Sequence, residues 1–552
     1  MYVDIVPNRR SRPAVLLREG WREGGRVRKR TLANLTDWPP EQVEALRRVL
    51  RGERLVAPED AFAVERSVPH GHVEIILALV RRLGLERVIA PKRCPERDRV
   101  LAMVVERLLH PASKLATTRL WHTTTLAGEL GVGDADEDDL YAAMDWLLAR
   151  QARIERRLAA RHLHAAAPVF AHVSGSYYEG RTCPLMRFGY SRDGKRGKTL
   201  VVYAVLSAPG GCPVAVEAYP GDTAEPSTVP DTVGELRERF GLERVVLVGD
   251  RGLLTQVRVT HLKPYPGLGW VSALRAPQVR ALVEQEALPL SLFDQRNLAE
   301  LVSPDYPGER LVACYNPLLA EERARKRDAL LAATEEGLAR EAARWATKTP
   351  LDAAELGRKV GRVLGKHKMA KHFMWATTGD GRLLYRRMDG TIAAEARLDG
   401  IYVLRTSEPA ERLSAADTVR TYKGLSDVER WFRALKDPEI RVRPIHHREE
   451  RRVRAHLFVC LLAGYLEWHL RRALAPLLFD DETPAEARRR TDDGRPLHSL
   501  NTLLAELATR SRNTCRVAAD PATPALTLLT EPTATQRQAR ELIQTFPVPG
   551  TA

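Results

Sequence analysis

From residue 168 onward the hydrophobic pattern changes from a helical period to short apolar runs, and that change limits the fold more than any other feature. "PVFAHVSGSYYEG" reads as a strand, and "KTLVVYAVLSAPGGCPVAVEAYPG" as two more around the Pro209-Gly210-Gly211 turn. "STVPDTVGELRERFG" then has a helical period, "RVVLVGDRG" is a short buried strand ending at Asp250, and "GWVSALR" at 269–275 is a further strand. Strand, strand, strand, helix, strand is the order that builds an α/β domain on a mixed sheet with one crossover helix.

Other organisation surrounds this core. Residues 14–32 read as a β-hairpin closed at Gly24-Gly25, with Arg26, Arg28 and Arg30 on one face. "PPEQVEALRRVLRG" is a short helix opened by proline. Residues 97–165 carry two long stretches of 3.6-residue period. After 276 a long charged helix breaks the strand rhythm, "GIYVLRTS" at 400–407 restores it, and a helix around 498–510 follows a linker.

A chain of 552 residues exceeds one ordinary core, so two to four domains are expected. The net charge of +15 favours a polyanionic partner, because Lys and Arg gain affinity by displacing phosphate counterions. Six scattered cysteines with no C-x-x-C pair fit a reducing cytoplasm rather than a zinc ribbon or a disulfide framework. The opening residues lack the apolar core of a signal peptide, and the longest apolar run, "LFVCLLAGYL" at 457–466, is about half a membrane span. It reads as a buried helix, with no membrane partner.

Two carboxylates attract attention. Asp250 follows a buried strand, at the sheet edge where open α/β folds place ligands; the bland alternative is a plain Asp-Arg-Gly turn. Glu429 lies in "YKGLSDVERWFRALKD", where Tyr422, Glu429 and Lys436 recur at seven-residue spacing and so share one helical stripe, flanked by Arg433. Leu425, Val428, Phe432 and Leu435 form the opposite, core-facing set. The alternative is a capping box from Ser426 to Glu429, which would confine the glutamate to backbone donors. "GYSRDGK" at 189–195 matches the skeleton of a phosphate loop, but Arg196 replaces the metal-binding hydroxyl and a strand follows. Arg192, Lys195, Arg196 and Lys198 read instead as a basic hairpin tip against DNA backbone, with a solvated turn as the bland alternative. In "HHREERRVRAH", Arg448, Arg452 and Arg454 are further DNA candidates, while the histidines are poorly spaced for a metal.

The spacing Tyr-x2-Leu-x3-Glu-x6-Lys at 422–436 resembles the Y-x2-R-x3-E-x6-K signature of a branch of bacterial insertion-sequence DDE transposases. The likeness extends to "VPNRRSRPAVLLRE", "DEDDLYAAMDWLL", "EGRTCPL", "VLVGDRG" and "RVRPIHHREERRVRAHLFVCLLAGYLEWHL". The resemblance implies a ribonuclease H-like catalytic domain interrupted by an insertion, two divalent ions (Mg or Mn), and cutting and joining of double-stranded DNA by a homodimer. It assigns metal ligation to Asp250 and Glu429, and DNA contacts near the scissile phosphate to Tyr422 and Lys436. It divides the chain into a hairpin and short helix (1–60), a helical DNA-end-binding module (61–165), the first catalytic part (166–275), the insertion (276–399), the second catalytic part (400–475), and a linker with a helix (476–552).

Two departures qualify the likeness. Leu425 stands where the signature has arginine, and His172 stands where the family carries its first catalytic aspartate. Mg²⁺ prefers oxygen ligands whereas imidazole suits Mn²⁺ or Zn²⁺ better, so His172 as third catalytic residue predicts a copy impaired with Mg²⁺. Asp222 is a candidate compensating carboxylate. The rival functions are a non-catalytic DNA-binding remnant and a ribonuclease H-like nuclease without strand transfer.

Overall fold

The computed structural model describes residues 1–9, 11–53, 62–163, 168–189, 197–223, 240–241, 244–251, 254, 256–262, 267–293, 296–346, 353–378, 382–429, 440, 442, 444–479, 490, 494, 497–517 and 524–548. Strands β1 (Tyr2–Val6), β2 (Ala14–Glu23) and β3 (Arg26–Asn34) form an antiparallel sheet in that order. Gly24 and Gly25, at φ of +53° and +76°, take the left-handed conformations that a tight two-residue hairpin needs. Arg26, Arg28 and Arg30 are exposed as expected, and Arg28 and Arg30 pair with Glu23 and Glu19 at 3.3 and 3.1 Å. Helix α1 (Pro40–Leu50) opens on its proline, and β4 (Phe62–Pro69) follows.

The helical region contains α2 (Gly71–Arg82), α3 (Leu85–Ile89), α4 (Pro95–Leu109), α5 (Lys114–Leu120), α6 (Leu126–Leu130), α7 (Glu137–Leu148) and α8 (Gln151–His162). The second long periodic stretch divides into α7 and α8 at a turn over Ala149 and Arg150. Asp136 caps α7 through a reciprocal box with Asp139, at 2.9 and 3.3 Å.

The large sheet is built from β5 (Pro168–Tyr177), β6 (Leu200–Ser207), β7 (Pro213–Pro220), β8 (Val245–Val248) and, after α9 (Gln256–Leu262), β9 (Leu268–Ala273). Helix α10 (Ala276–Glu284) leads to β10 (Leu298–Leu301) and β11 (Arg310–Tyr315). Then come α11 (Pro317–Ala346), α12 (Ala353–Lys366), the hairpin β12 (Phe373–Thr377) and β13 (Leu383–Arg387), and α13 (Asp389–Ala396). Strand β14 (Ile401–Thr406), α14 (Ala415–Lys423) and α15 (Glu450–Ala473) complete this unit. The sheet order is β10-β11-β14-β9-β8-β5-β6-β7. Strands β5, β6 and β7 are antiparallel while β5, β8 and β9 are parallel, which makes this a ribonuclease H-like mixed sheet. Two strands from the expected insertion segment, β10 and β11, extend the sheet beyond β14. Helices α11 and α12 and the β12–β13 hairpin have their own core around Leu331, Leu338, Val360 and Phe373. The run 457–466 is buried within α15, and among the described residues no helix is long and apolar enough to cross a membrane.

Near the C-terminus α16 (Leu500–Ala508) matches the expected helix, followed by β15 (Ser511–Val517), β16 (Leu526–Leu529) and α17 (Ala534–Thr545). The order β16-β15-β4 joins strands from opposite ends of the chain. Neither β15 nor β16 shows apolar alternation, and β16 is exposed throughout, so nothing in their pattern announces a strand.

At the β11 side of the sheet, Arg405 and Glu309 form a fully buried pair, with side chains 2% and 0% exposed and nitrogen and oxygen 2.6 Å apart. Arg405 also donates to Gln256 at 2.8 Å and lies over the Tyr306 ring at 5.2 Å. Removing one partner strands a charge away from water. The Glu309→Ala variant is expected to lose about 3–5 kcal/mol, read as a lower urea midpoint for this unit.

Candidate active site

Asp250 comes two residues after β8. Its carbonyl accepts hydrogen bonds from Ser272 Oγ at 3.2 Å and Leu254 N at 3.1 Å, which hold the turn against β9. Parallel pairing aligns Pro168, Val169 and Phe170 with Val246, Leu247 and Val248; the same offset carries His172 level with Asp250. Asp250 therefore lies just past the carboxyl end of β8, while His172 is level with it in the middle of β5 and is not among the residues that line the cleft.

The expected single helical stripe is interrupted. Helix α14 ends at Lys423, Gly424 forms a turn, and residues 425–429 resume the helix. A methyl group on Gly424 would come within 2.9 Å of the Phe170 ring, so the glycine lets this segment rest directly on β5. Leu425 and Val428 are buried as expected, while Glu429 is exposed. Ser426 lies inside the helix, and its hydroxyl donates to Lys423 O at 2.8 Å instead of starting a capping box. On the other side, Gly211 in the β6–β7 turn, at φ +81°, leaves room for Asp427: a methyl there would be 3.1 Å from the Asp427 backbone.

This packing brings Asp250, Tyr422 and Glu429 to the wall of one cleft of about 830 Å³. Burial, together with Asp250 and Glu429, raises the Tyr422 phenol above its ordinary pKa, partly offset by Arg251, so it remains a hydrogen-bond donor at neutral pH. Arg433 and Lys436 lie outside the described residues, as do Arg192, Lys195 and Arg196. Lys198 is exposed, 3.7 Å from Glu179. It precedes β6 rather than a helix, which leaves the phosphate-loop reading without its anion-binding helix end.

Sequence reasoning missed most of the cleft's cations. Arg251, Arg280, Arg323, Lys326, Arg327, Lys371 and Lys423 all line it. Arg327 pairs with Asp399 at 2.6 Å, Lys371 pairs with Glu395, and Arg323 donates to the carbonyls of Leu398 and Ile401. Arg251, Arg280, Lys326 and Lys423 have no ion-pair partner among the described residues. The available signal was the spacing Leu319, Arg323, Lys326, Arg327, Leu330, one face of α11. What the pattern could not reveal was that this face turns toward Asp250.

Asp222 is exposed in the turn after β7 and is not among the cleft residues. Pro220 pairs with Val201, which is level with Ser176, whereas His172 pairs with Val205, so the Asp222 turn lies beyond His172 in the carboxyl direction of β5 and two strands away from it. Arg448 and Arg452 line a separate cavity of about 640 Å³ with Arg107, Lys114, His447 and His456. Arg454 instead pairs with Glu217 and Glu450.

Replacing Gly211 by alanine imposes both a left-handed conformation and contact with the Asp427 backbone. The Gly211→Ala variant is expected to lift the 425–429 helix, seen as at least about tenfold faster amide hydrogen exchange there, from a cost of about 1–2 kcal/mol.

Residues 3–60 match the N-terminal domain of IS1634 family transposases, and residues 175–466, more than half the chain, match the transposase DDE domain. The longer match includes Asp250, Tyr422 and Glu429 and begins just after His172. Among solved structures the chain is similar to the piggyBac transposase synaptic complex with hairpin DNA, at 11% identity, over 87% of this chain and 84% of that one, with a TM-score of 0.32. No curated protein matches. The protein therefore belongs to the bacterial insertion-sequence DDE transposases.

Proposed function

We propose that this transposase binds the terminal inverted repeats of its insertion sequence and cuts and joins DNA strands in the cleft between Asp250 and Glu429. The observation that carries this reading is the convergence of those two carboxylates and Tyr422, distant in sequence, on one cation-rich cleft. Two carboxylates offer the hard oxygen donors that suit Mg²⁺ or Mn²⁺, so Asp250 and Glu429 would hold the divalent ions, with His172 alongside. Bound there, such ions supply Lewis-acid activation of the attacking hydroxyl and stabilisation of the leaving oxygen.

The chain's own groups would do the positioning. Tyr422 donates its hydroxyl proton to a phosphate oxygen. Arg251, Lys326 and Lys423 draw the DNA backbone into the cleft, and their charges offset the phosphates on either side of the scissile bond. Arg433 and Lys436 follow Glu429 closely enough in sequence to extend this contact, while Arg192, Lys195, Arg196 and Lys198 form a second backbone contact. Two copies would hold two element ends, so that each freed 3′-hydroxyl attacks target DNA.

His172 favours a second reading, a DNA-binding remnant without strand cleavage. A neutral imidazole removes one negative charge from a site meant for two dications and weakens Mg²⁺ binding. The deciding experiment compares nicking and joining of cognate ends by the native chain and His172→Asp, with Mg²⁺ and with Mn²⁺. Changes outside the ligand shell already alter metal affinity by about 10–100-fold, so restoring the carboxylate is expected to raise Mg²⁺-supported nicking at least about tenfold. Equal, robust Mg²⁺ activity of both proteins removes the impairment. End binding without cleavage by native protein in either metal selects the remnant, and cleavage without joined products selects a nuclease. Glu429→Gln is expected to abolish cleavage while leaving end binding intact, as measured by gel shift.

A further inference from the structure

We propose that His162, Cys212 and His469 form a zinc-class metal site, separate from the catalytic cleft, that fastens the β6–β7 turn to α15 behind the glutamate-bearing helix. The three residues come from the end of α8, the turn before β7 and the interior of α15, and one ligand atom from each lies within 4.8 Å of the other two. Tetrahedral zinc places such nitrogen and sulfur atoms about 3.3–3.8 Å apart, so closure needs only small side-chain rotations. None of the three lines the catalytic cleft.

His469 supplies an independent reason. It is 1% exposed, and neither ring nitrogen has a hydrogen-bond partner among the described residues. A neutral imidazole always carries one N–H, and burying polar atoms unpaired costs about 1–3 kcal/mol. Packing alone gives no return for that cost, whereas a metal would take up one lone pair. Cys212 is fully buried beside it. The Tyr465 hydroxyl, 3.0 Å from His162 Nε2, can complete the site directly or through a water. Rings of Tyr465, Trp468 and Phe546, with centroids 4.6, 4.8 and 6.0 Å from that of His469, exclude solvent.

The donor set decides the metal class. Two imidazoles and a thiolate select zinc, or cobalt in its place, over the Mg²⁺ that carboxylates prefer. Binding transfers the Cys212 thiol proton to solvent and forms a metal–sulfur bond. Its structural consequence is local. Trp468 Nε1 donates to Gly210 O at 2.7 Å, and the next residue, Gly211, lies against Asp427, two positions before Glu429. A metal at Cys212 would brace the turn on which the catalytic helix rests.

The test uses full-length protein from zinc-replete medium, dialysed against EDTA and analysed for metal by mass spectrometry. About one zinc per chain is expected to remain in the native protein and in Asp250→Asn, and to be lost in Cys212→Ser and His469→Gln. Cobalt-substituted native protein should show tetrahedral visible bands and sulfur-to-cobalt charge transfer, a readout independent of whether the variants fold. Native protein with no bound zinc and no cobalt–thiolate band overturns the proposal. So does zinc retained by both ligand variants, or lost from Asp250→Asn.

Discussion

The cleft depends on how closely the 425–429 helix lies against the sheet. Gly424 meets the Phe170 ring at a distance that an added methyl could take only if the ring shifts, and Gly211 meets the Asp427 backbone closely enough that a methyl would crowd it. Leu425 and Val428 supply the apolar contact that holds the helix down, and the exposed side of the same turn carries Glu429. These two glycines set how deeply the 425–429 helix lies. The sheet beneath it is firm because β8 is apolar on both faces and paired on both edges.

Charge in the cleft is arranged in two tiers. Some cations are committed to structure, such as Arg327 with Asp399 and Lys371 with Glu395, and these secure the α11–α13 segment along the cleft wall. Arg251, Lys326 and Lys423 have no such commitment among the described residues and line the same cleft as the carboxylates. An open set of cations beside two acids suits a ligand that is itself a polyanion approached through divalent ions. The segment inserted between β11 and β14 is thus part of the site's electrostatics, not a mere appendage to the sheet.

His172 is the point of tension. The strand register carries it level with Asp250, yet it is not among the residues that line the cleft, and in the proposed site it would change the chemistry. A ring nitrogen brings a lone pair but no charge, so the balance between protein ligands and divalent ions shifts by one unit. The proposed site around Cys212 and His469 has the opposite character, with two imidazoles and a thiol in place of carboxylates and with Cys212 and His469 buried. One domain would then hold hard and soft metal sites on two sides of the same helix–turn contact.

Much of this was legible in the residues. Short apolar runs ending at Asp250 announced the parallel strands, Gly24-Gly25 the hairpin, and the buried spacing of Leu425 and Val428 the inward face of the catalytic helix, because period and turn chemistry are local properties. The resemblance around Tyr422 and Glu429 supplied the family. The break at Gly424, the pairing of β4 with β15, the turning of Arg323 and Lys326 toward Asp250, and the meeting of His162, Cys212 and His469 were not legible. Each depends on which surfaces far apart in sequence come into contact. Sequence by itself determined the elements and the two carboxylates; only tertiary packing decided which cations and which buried ligands stand beside them, since burial and proximity are properties of the folded chain as a whole.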